Sequence, residues 1–374
     1  MSSGLVTSRR NRRTPYTDRV EALGVSGFSI VNHTLLPKSF TRSVEEDYWH
    51  LKEHVQLWDV GCQRQVELRG PDAAFLAQQM TPRDLRSMAV GQCYYTPLID
   101  NRAGLLNDPV LLKRDCDWFW FSIADSDVLL WAKALALGMK LDVEVCEPDV
   151  WPLAVQGPRA EELVARVFGD EVRSVPYFSY IERDFHGRRL AVARSGYSKQ
   201  GGFELYLDDS TLGAALWDTL WDAGVDLEVA PGCPNLIERI EAGLLSYGNE
   251  MTRENNPLEI NLDRFCHLDS EIEYIGRSAL EKISAEGPNQ RMRGLLIEGE
   301  RCPPCAKPWP IFADGIKVGQ VTSAIWSPAL GKNVGLSMIS KSHWTAQTPV
   351  KVAMPGGVIS DAVIVTLPFD NERG

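Results

Sequence analysis

The sequence lacks an apolar run long enough to cross a membrane, since no stretch of the 374-residue chain approaches the roughly 18 residues required. The basic run at residues 8–13 is followed by TPYTDRVEALG and not by an apolar core, so we expect no secretory signal peptide. An excess of basic residues is lacking too, because the net charge is −11. We therefore expect a cytoplasmic protein that binds neither membranes nor nucleic acid.

Sequence motifs for nucleotides and metals are also lacking. Neither G-x-G-x-x-G nor the P-loop pattern occurs, which excludes the common dinucleotide and P-loop interpretations. HLKEH at residues 50–54 fits one zinc-peptidase pattern, but the sequence marks no third ligand. We interpret these histidines as surface residues of a helix and predict no metal site.

The cysteines do not form the pattern of a disulfide framework. All eight are dispersed through a long chain, which is typical of reduced and mostly buried thiols. Cys302 and Cys305 have redox-type spacing, yet they lie in a loop before a β region and have no second pair. We interpret both as free thiols.

The chain contains a strand, a Gly-Pro pair and a helix twice. The two copies are QVELRGPDAAFLAQQM at residues 65–80 and PLAVQGPRAEELVARVF at residues 152–168. Each copy is followed by strands that form a hairpin and then by another helix. This order predicts a degenerate duplication of an α+β unit, with helices on one face of the strands.

Two further helices and a β region complete the predicted fold. Apolar residues at helical spacing predict a helix over 44–58, which begins behind a Ser43 cap. A second helix is predicted over 235–248. From about residue 290, short alternating runs separated by Gly, Pro and Asn predict an all-β sandwich or barrel.

Two carboxylates, Asp108 in GLLNDPVLL and Glu204 in GGFELYL, lie in apolar strand-like runs. A buried carboxylate is costly, so each requires a partner, which is either an internal arginine or a ligand. Both occur in corresponding hairpins of the duplicated halves, and this favours a ligand. A flat ring with N–H donors, such as a folate pterin, would suit these acids, with Tyr95 or Tyr197 packed on the ring.

From RTPYTDRV to its C-terminus, the chain resembles the glycine-cleavage T-protein (aminomethyltransferase) family of tetrahydrofolate enzymes. The matching stretches are WDVGCQRQVELRGPDAAFL, GLLNDPVLL, LAVQGPRAEEL, SGYSKQGGFELYL, RIEAGLLSYGNEMTRENNPLE, IGRSAL and GQVTSAIWSPALGKNVGL. The resemblance covers nearly the whole chain. It implies an α+β fold of three domains, in which two duplicated, interleaved domains precede a C-terminal β-barrel.

The same resemblance implies domain boundaries. The folate-binding region would cover residues 1–285, with roughly 1–50 and 145–230 in one domain and 51–144 and 231–285 in the other. The barrel would cover 286–374.

Individual residues acquire roles from the same resemblance. Asp108 falls on the family's catalytic aspartate, and Glu204 falls on its pterin-binding glutamate. The other residues expected to bind folate are Tyr95, Ser122, Phe178, Tyr197, Tyr206 and Arg239. Aromatic faces attract soft cations, so we expect a methylated cationic substrate to contact Tyr94, Trp151 and Tyr177.

The implied reaction transfers a methyl group from the sulfonium compound dimethylsulfoniopropionate to tetrahydrofolate, which acts as the methyl-accepting cosubstrate. Segments such as MTPRDL, VGQCYYTP and EPDVWPLA resemble family members with this activity. Asn107 and the SKQGG loop depart from the T-protein pattern and argue against aminomethyl transfer from a lipoylated carrier. A demethylase of methylated amines and a non-enzymatic folate-binding protein remain alternatives. The oligomeric state stays open, with a homodimer as one option.

Overall fold

The computed structural model describes residues 8–369, and these form eight α-helices and 21 β-strands. The helices are α1 Thr17–Ala22, α2 Val44–Glu53, α3 Ala73–Gln79, α4 Val128–Met139, α5 Ala160–Phe168, α6 Gly213–Ala223, α7 Leu236–Glu241 and α8 Arg277–Glu286.

The first 15 strands precede the C-terminal region. They are β1 Gly27–Val31, β2 Thr34–Ser39, β3 Val55–Asp59, β4 Gln65–Arg69, β5 Cys93–Tyr95, β6 Leu98–Ile99, β7 Leu105–Asn107, β8 Val110–Asp115, β9 Trp118–Ser122, β10 Glu144–Cys146, β11 Trp151–Gln156, β12 Tyr180–Phe185, β13 Arg188–Ala193, β14 Gly202–Leu207 and β15 Val229–Gly232. The remaining six are β16 Gln290–Ile297, β17 Trp309–Ala313, β18 Ile316–Ser327, β19 Lys332–Ser340, β20 Pro349–Ala353 and β21 Ile359–Val365.

The chain divides into two compact units. The first contains the residues up to Gln79 together with Leu85–Thr96 and Asn107–Asn235. The second contains Met80–Asp84, Pro97–Leu106 and the residues from Leu236 onward. This division into two units does not test the predicted boundaries of three domains, which stay a prediction.

Two sheets form the frame of the first unit. A six-stranded sheet has the order β12-β13-β14-β11-β3-β15, and a five-stranded sheet has the order β10-β4-β9-β8-β5. Helices α5 and α6 cover one face of the six-stranded sheet, where Leu153, Val155, Leu205 and Trp217 belong to the same buried core. This amphipathic α-on-β packing is the architecture that the duplicated sequence predicts.

Both Gly-Pro pairs link a strand to a helix through a backbone conformation that favours glycine. Gly70 has φ +134° and Gly157 has φ +119°. A side chain at Gly157 would also meet the backbone oxygen of His54 at 2.3 Å. The repeated sequence element therefore corresponds to a repeated structural element, β4-α3 and β11-α5.

The second unit contains a closed barrel of strands in the order β16-β19-β18-β17-β20-β21. Its core includes Leu295, Ile311, Val352 and Ile364, all of which are buried. The prediction of an α+β fold with a C-terminal barrel is confirmed.

Two predicted helices are shorter in the structure. The helix predicted over 44–58 ends at Glu53, because Val55–Asp59 forms strand β3 and pairs with β11 and β15. Its predicted start is right, since the Ser43 side chain accepts a hydrogen bond from Glu46 N in a capping box. The helix predicted over 235–248 is the six-residue α7.

Free thiols are found at all eight cysteine positions, as predicted. Cys302 and Cys305 are half-buried and pack against the barrel core. Within residues 8–369, none of the helices combines the length and the apolar character that crossing a membrane requires.

Candidate active site

The two sheets of the first unit pack against each other through one shared apolar cluster. Cys93, Leu112 and Trp120 come from the five-stranded sheet, and Tyr180 and Tyr206 come from the six-stranded sheet. Directly opposed residues in antiparallel strands share a face, so the register shows which other side chains lie on these two facing surfaces. Most of the predicted site residues are among them.

Glu204 lies on the facing surface of the six-stranded sheet, between Ala154 of β11 and Ala193 of β13. Both flanking residues have small side chains, and Glu204 is only 5% exposed. Ser195 Oγ donates to Glu204 Oε2 at 2.5 Å, and Tyr206 Oη lies 3.4 Å from the same oxygen. Burial raises the pKa of Glu204, although hydrogen bonds from these hydroxyls and from Gln63 oppose the shift.

Tyr95, Val110, Ser122 and Gln65 form one row across the facing surface of the five-stranded sheet. Gln65 Nε2 donates to Ser122 Oγ at 3.1 Å, and Ser122 Oγ lies 3.4 Å from Gln63 Oε1. Since Gln63 also reaches Glu204, a polar chain connects the two sheets. Sequence reasoning found Ser122 but missed both glutamines, which alternate in CQRQVEL and carry no catalytic motif.

Asp108 does not lie inside a strand, as the sequence predicted, but in the break between β7 and β8. It is half-buried. Tyr95 Oη donates to Asp108 Oδ2 at 2.6 Å, so two predicted site residues are in direct contact. The preceding Asn107 is buried, and its Nδ2 donates to Ser126 Oγ at 2.8 Å while its Oδ1 accepts from Ala124 N at 3.0 Å. These bonds fix the backbone beside the carboxylate.

Three aromatic residues that were predicted to bind folate lie in different surroundings. Tyr206 is buried beside Glu204, and burial together with the Glu204 charge raises its pKa well above the usual range. Phe178 packs on the cluster shared by the sheets, and Tyr197 packs on a neighbouring cluster that includes Trp58 and Ala154. Their rings could therefore line a ligand next to the facing surfaces.

The predicted contacts with a methylated cation are not brought together. Tyr94 pairs with Leu111 and lies on the opposite face of its sheet from Tyr95. Trp151 pairs with Leu207 and packs on the helix-covered core, away from the face of Glu204. Tyr177 is 69% exposed and makes an edge contact with Phe178.

Arg239 belongs to the second unit, where its guanidinium is engaged in a buried polar cluster. It forms an ion pair with Glu250 at 2.8 Å and donates to Ser323 Oγ at 2.8 Å. The side chains of Arg239 and Glu250 are 7% and 0% exposed. The predicted role of Arg239 in folate binding stays a prediction, while its structural role in this cluster is visible.

The glycine-rich SKQGG loop closes on a buried glutamine. Gln156 Oε1 accepts from Ser198 Oγ at 2.7 Å, and its Nε2 lies 3.3 Å from Ser195 O. A side chain at Gly196 would approach Gln156 within 2.2 Å, and Gly202 has φ +140°. Gly196, just before this loop, and Gly202, at its end, are therefore needed for close packing around Gln156, which sequence reasoning did not single out.

One group of potential metal ligands occurs among the described residues. Asp115, Cys116 and Asp117 lie close enough to share an ion, but all three are exposed, and such acidic groups are common without a metal. The absence of a resident metal stays a prediction.

Comparison with known proteins identifies the class. Residues 16–270 match the sequence profile of the GCVT N-terminal domain, and residues 290–370 match that of the glycine cleavage T-protein C-terminal barrel domain. The chain belongs to the glycine cleavage T-protein family.

Two related proteins and one solved structure show which members of the family this chain is similar to. Dimethylsulfoniopropionate demethylase DmdA of Ruegeria pomeroyi is 52% identical over 356 residues, which cover 95% of this chain and 97% of that protein. An aminomethyltransferase of Thermotoga petrophila is 26% identical and covers 96% of this chain and 97% of its own length. The crystal structure of the glycine cleavage system aminomethyltransferase T from Bartonella henselae has a TM-score of 0.84 at 22% identity, with 97% and 99% of the two chains covered, and it confirms the fold.

Proposed function

We propose that this protein transfers a methyl group from dimethylsulfoniopropionate to tetrahydrofolate, giving 3-(methylthio)propanoate and 5-methyl-tetrahydrofolate. The observation that carries the proposal is the 52% identity to a dimethylsulfoniopropionate demethylase over almost the full length of both chains. In this chain one predicted site carboxylate, Glu204, is buried, and the other, Asp108, is held by a tyrosine hydroxyl.

The residues on the facing surfaces suit a reduced pterin. The carboxylate of Glu204 is buried, and charge-assisted hydrogen bonds from ring N–H and amino groups would compensate for its lost hydration. Phe178 and Tyr206 offer ring faces or edges beside it. We therefore assign the pterin to Glu204, with Ser122 and Tyr95 on the opposite sheet.

Tetrahydrofolate supplies the nucleophilic ring nitrogen, N5. A bond forms between N5 and the methyl carbon as the carbon–sulfur bond breaks, and the bonding pair leaves with the sulfur. The sulfur leaves as a neutral thioether, so no general acid is required there. Alignment of the two substrates in a site shielded from water can contribute about 7–11 kcal/mol in favourable cases.

We assign Asp108 as the base that accepts the proton released by the methylated nitrogen. Its carboxylate is fixed by the Tyr95 hydroxyl at 2.6 Å and by the rigid backbone at Asn107. A positioned base of this kind accepts the proton directly or through water. Tyr95 is then a positioning residue, because it acts on the reaction through Asp108.

A donor panel tests the proposal. The purified protein is incubated with tetrahydrofolate and, separately, dimethylsulfoniopropionate, glycine betaine or dimethylglycine, and methyl-folate is quantified by mass spectrometry. The sulfonium compound should react fastest, because a trialkylammonium group is a far poorer source of a methyl group. Faster reaction with either amine would assign the protein to amine demethylation, and folate binding without transfer from any donor would assign it to the folate-binding class.

The setting of the reaction is part of the same proposal. We place the protein in the cytoplasm, as a monomer or homodimer that acts on small molecules without a resident metal. Size-exclusion chromatography with light scattering determines the oligomeric state, and metal analysis of the purified protein tests the last point.

A further inference from the structure

A cavity of about 210 Å³ lies at the start of strand β4, in the first unit. Its apolar wall includes Val66, Ile123 and Leu129, and its polar wall includes Arg64 and Gln65. The volume is enough for a short organic chain with one or two polar groups. None of the roles assigned above uses Arg64 or this cavity.

Gln65 and Arg64 leave polar atoms unsatisfied at this cavity. Gln65 is 1% exposed, and its Nε2 donates to Gln63 O and Ser122 Oγ. Its buried Oε1 has no hydrogen-bond partner among residues 8–369. The Nε of Arg64 is likewise buried, and it has no partner in the part of the chain that the structure describes. Buried polar groups are normally hydrogen-bonded, so these two atoms indicate a ligand that accepts from Arg64 and donates to Gln65.

The local charges favour a negative group. Arg64 forms an ion pair with Glu147, and Arg12 forms a second one with the same carboxylate at 2.5 Å, so the three side chains together carry one positive charge. Asp127, at the rim, is exposed to solvent and is therefore screened.

Helix α4 contributes in the same direction. Its first turn lines the cavity at Leu129, and the Asp127 side chain does not cap it. The first N–H groups of a helix lack intrahelical partners and attract anions.

The cavity is also connected to the candidate active site. Gln65 donates to Ser122, which is part of the polar chain to Glu204. Ser126, another residue of the cavity, accepts a hydrogen bond from Asn107, the neighbour of Asp108. The cavity is therefore a second possible contact for a substrate bound on the facing surfaces, and it lies in the same unit as those surfaces.

We propose that this cavity binds a substrate carboxylate, with Arg64 as its cationic partner, and this rests on the function proposed above. Both substrates carry the required group: the methyl donor ends in a carboxylate, and the folate tail is a glutamate. The acceptor oxygen of Gln65 favours the folate tail. The glutamate of that tail has an amide N–H next to its carboxylate, whereas dimethylsulfoniopropionate has no N–H.

The test compares substrates with and without the group in question. Steady-state kinetics are measured with tetrahydrofolate, with tetrahydropteroate, which lacks the glutamate, and with varied dimethylsulfoniopropionate. The variants are Arg64→Lys, which keeps the charge but removes the Nε donor, and Arg64→Gln, which removes both. Arg166→Gln is the control, because Arg166 pairs with surface acids on and near α5, outside the cavity.

Loss of a charge-assisted hydrogen bond should raise one KM by about ten- to a hundredfold in Arg64→Gln, with kcat little changed. A rise confined to tetrahydrofolate, with tetrahydropteroate unaffected, assigns the cavity to the folate tail. A rise confined to dimethylsulfoniopropionate supports the carboxylate site and assigns it to the donor. Unchanged KM values for every substrate, in variants that melt like the wild type, overturn the proposal.

Failure of the proposed function can be recognised separately. If the wild-type protein forms no methyl-folate, the proposed reaction is wrong, whereas the cavity is still tested by calorimetric titration of tetrahydrofolate and tetrahydropteroate. Equal affinities of the wild type and Arg64→Gln for both compounds, and for dimethylsulfoniopropionate, would then rule out the carboxylate site.

Discussion

Replacement of Glu204 by glutamine separates a ligand-binding carboxylate from a structural one. The side chain keeps its shape and can still accept a hydrogen bond from Ser195, but one acceptor oxygen becomes a donor. A charge-assisted hydrogen bond contributes about 1.5–3 kcal/mol, so tetrahydrofolate affinity should fall about ten- to a hundredfold. Calorimetric titration measures this change directly.

The same variant makes a distinct prediction for stability. Burial raises the pKa of Glu204, so the charged form is disfavoured in the free protein. A neutral glutamine removes that cost, and Glu204→Gln should melt at or above the wild-type temperature. Glu162→Gln is a suitable control, because Glu162 pairs with arginines on the surface of α5.

The pH dependence of folate binding follows from the same shift. The raised pKa means that Glu204 in the free protein keeps its proton to a higher pH than usual, whereas N–H donors from the pterin would favour the ionised form and lower the pKa. Affinity should therefore increase as pH rises through the pKa of the free protein and then level off. Glu204→Gln should lose this dependence. Unchanged affinity and unchanged pH dependence in the variant would remove Glu204 from the binding site.

Three further predictions concern other parts of the chain. Asp108→Asn should lower single-turnover methyl transfer by about 10²–10⁴-fold with little change in folate affinity; an early-melting variant whose folded fraction transfers at the wild-type rate would make Asp108 structural. Arg239→Gln should cost about 3–5 kcal/mol of stability, because Glu250 would remain buried without its cation; weaker folate binding at an unchanged melting temperature would instead support the predicted ligand role. Burial raises the pKa of Asp59 from 3.8 to about 7 despite the Thr14 hydrogen bond, so the folded state holds an extra proton between these pH values. The free energy of unfolding should therefore be highest below pH ~4 and decline by about 4 kcal/mol as pH rises to 7. Melting curves from pH 4 to 8 should show that Asp59→Asn lacks this decline, and an equal decline in the variant would contradict the assignment.

Hydrophobic periodicity and turn residues in the sequence predicted the repeated units and the barrel, but they placed the ends of two helices, α2 and α7, too late. Val55 and Trp58 continue the helical spacing of Val44, Tyr48 and Leu51, so the sequence alone extended α2 through them. Hydrogen bonding to β11 and β15 converts those residues into a strand, and such long-range pairing leaves no local trace.

The candidate site shows the same limit. Glu204 and Asp108 were visible in the sequence because an acid in an apolar run is unusual. Tyr94 and Tyr95 were both assigned to the site, one to the methylated cation and one to folate, although the two-residue period of a strand directs neighbours to opposite faces. Gln65 was missed because a glutamine becomes informative only when the partners of its amide are known.

The shared surface between the two sheets has a consequence for attempts to change the donor. Cys93, Trp120 and Tyr206 hold the sheets together and lie among the residues assigned to folate, so enlarging or shrinking them would alter folding and catalysis together. Variation in donor preference is therefore expected to accumulate in exposed segments beside the strands, such as residues 176–177, where the chain can change without disturbing that packing. A library restricted to those segments should retain far more folded members than one directed at the strands themselves.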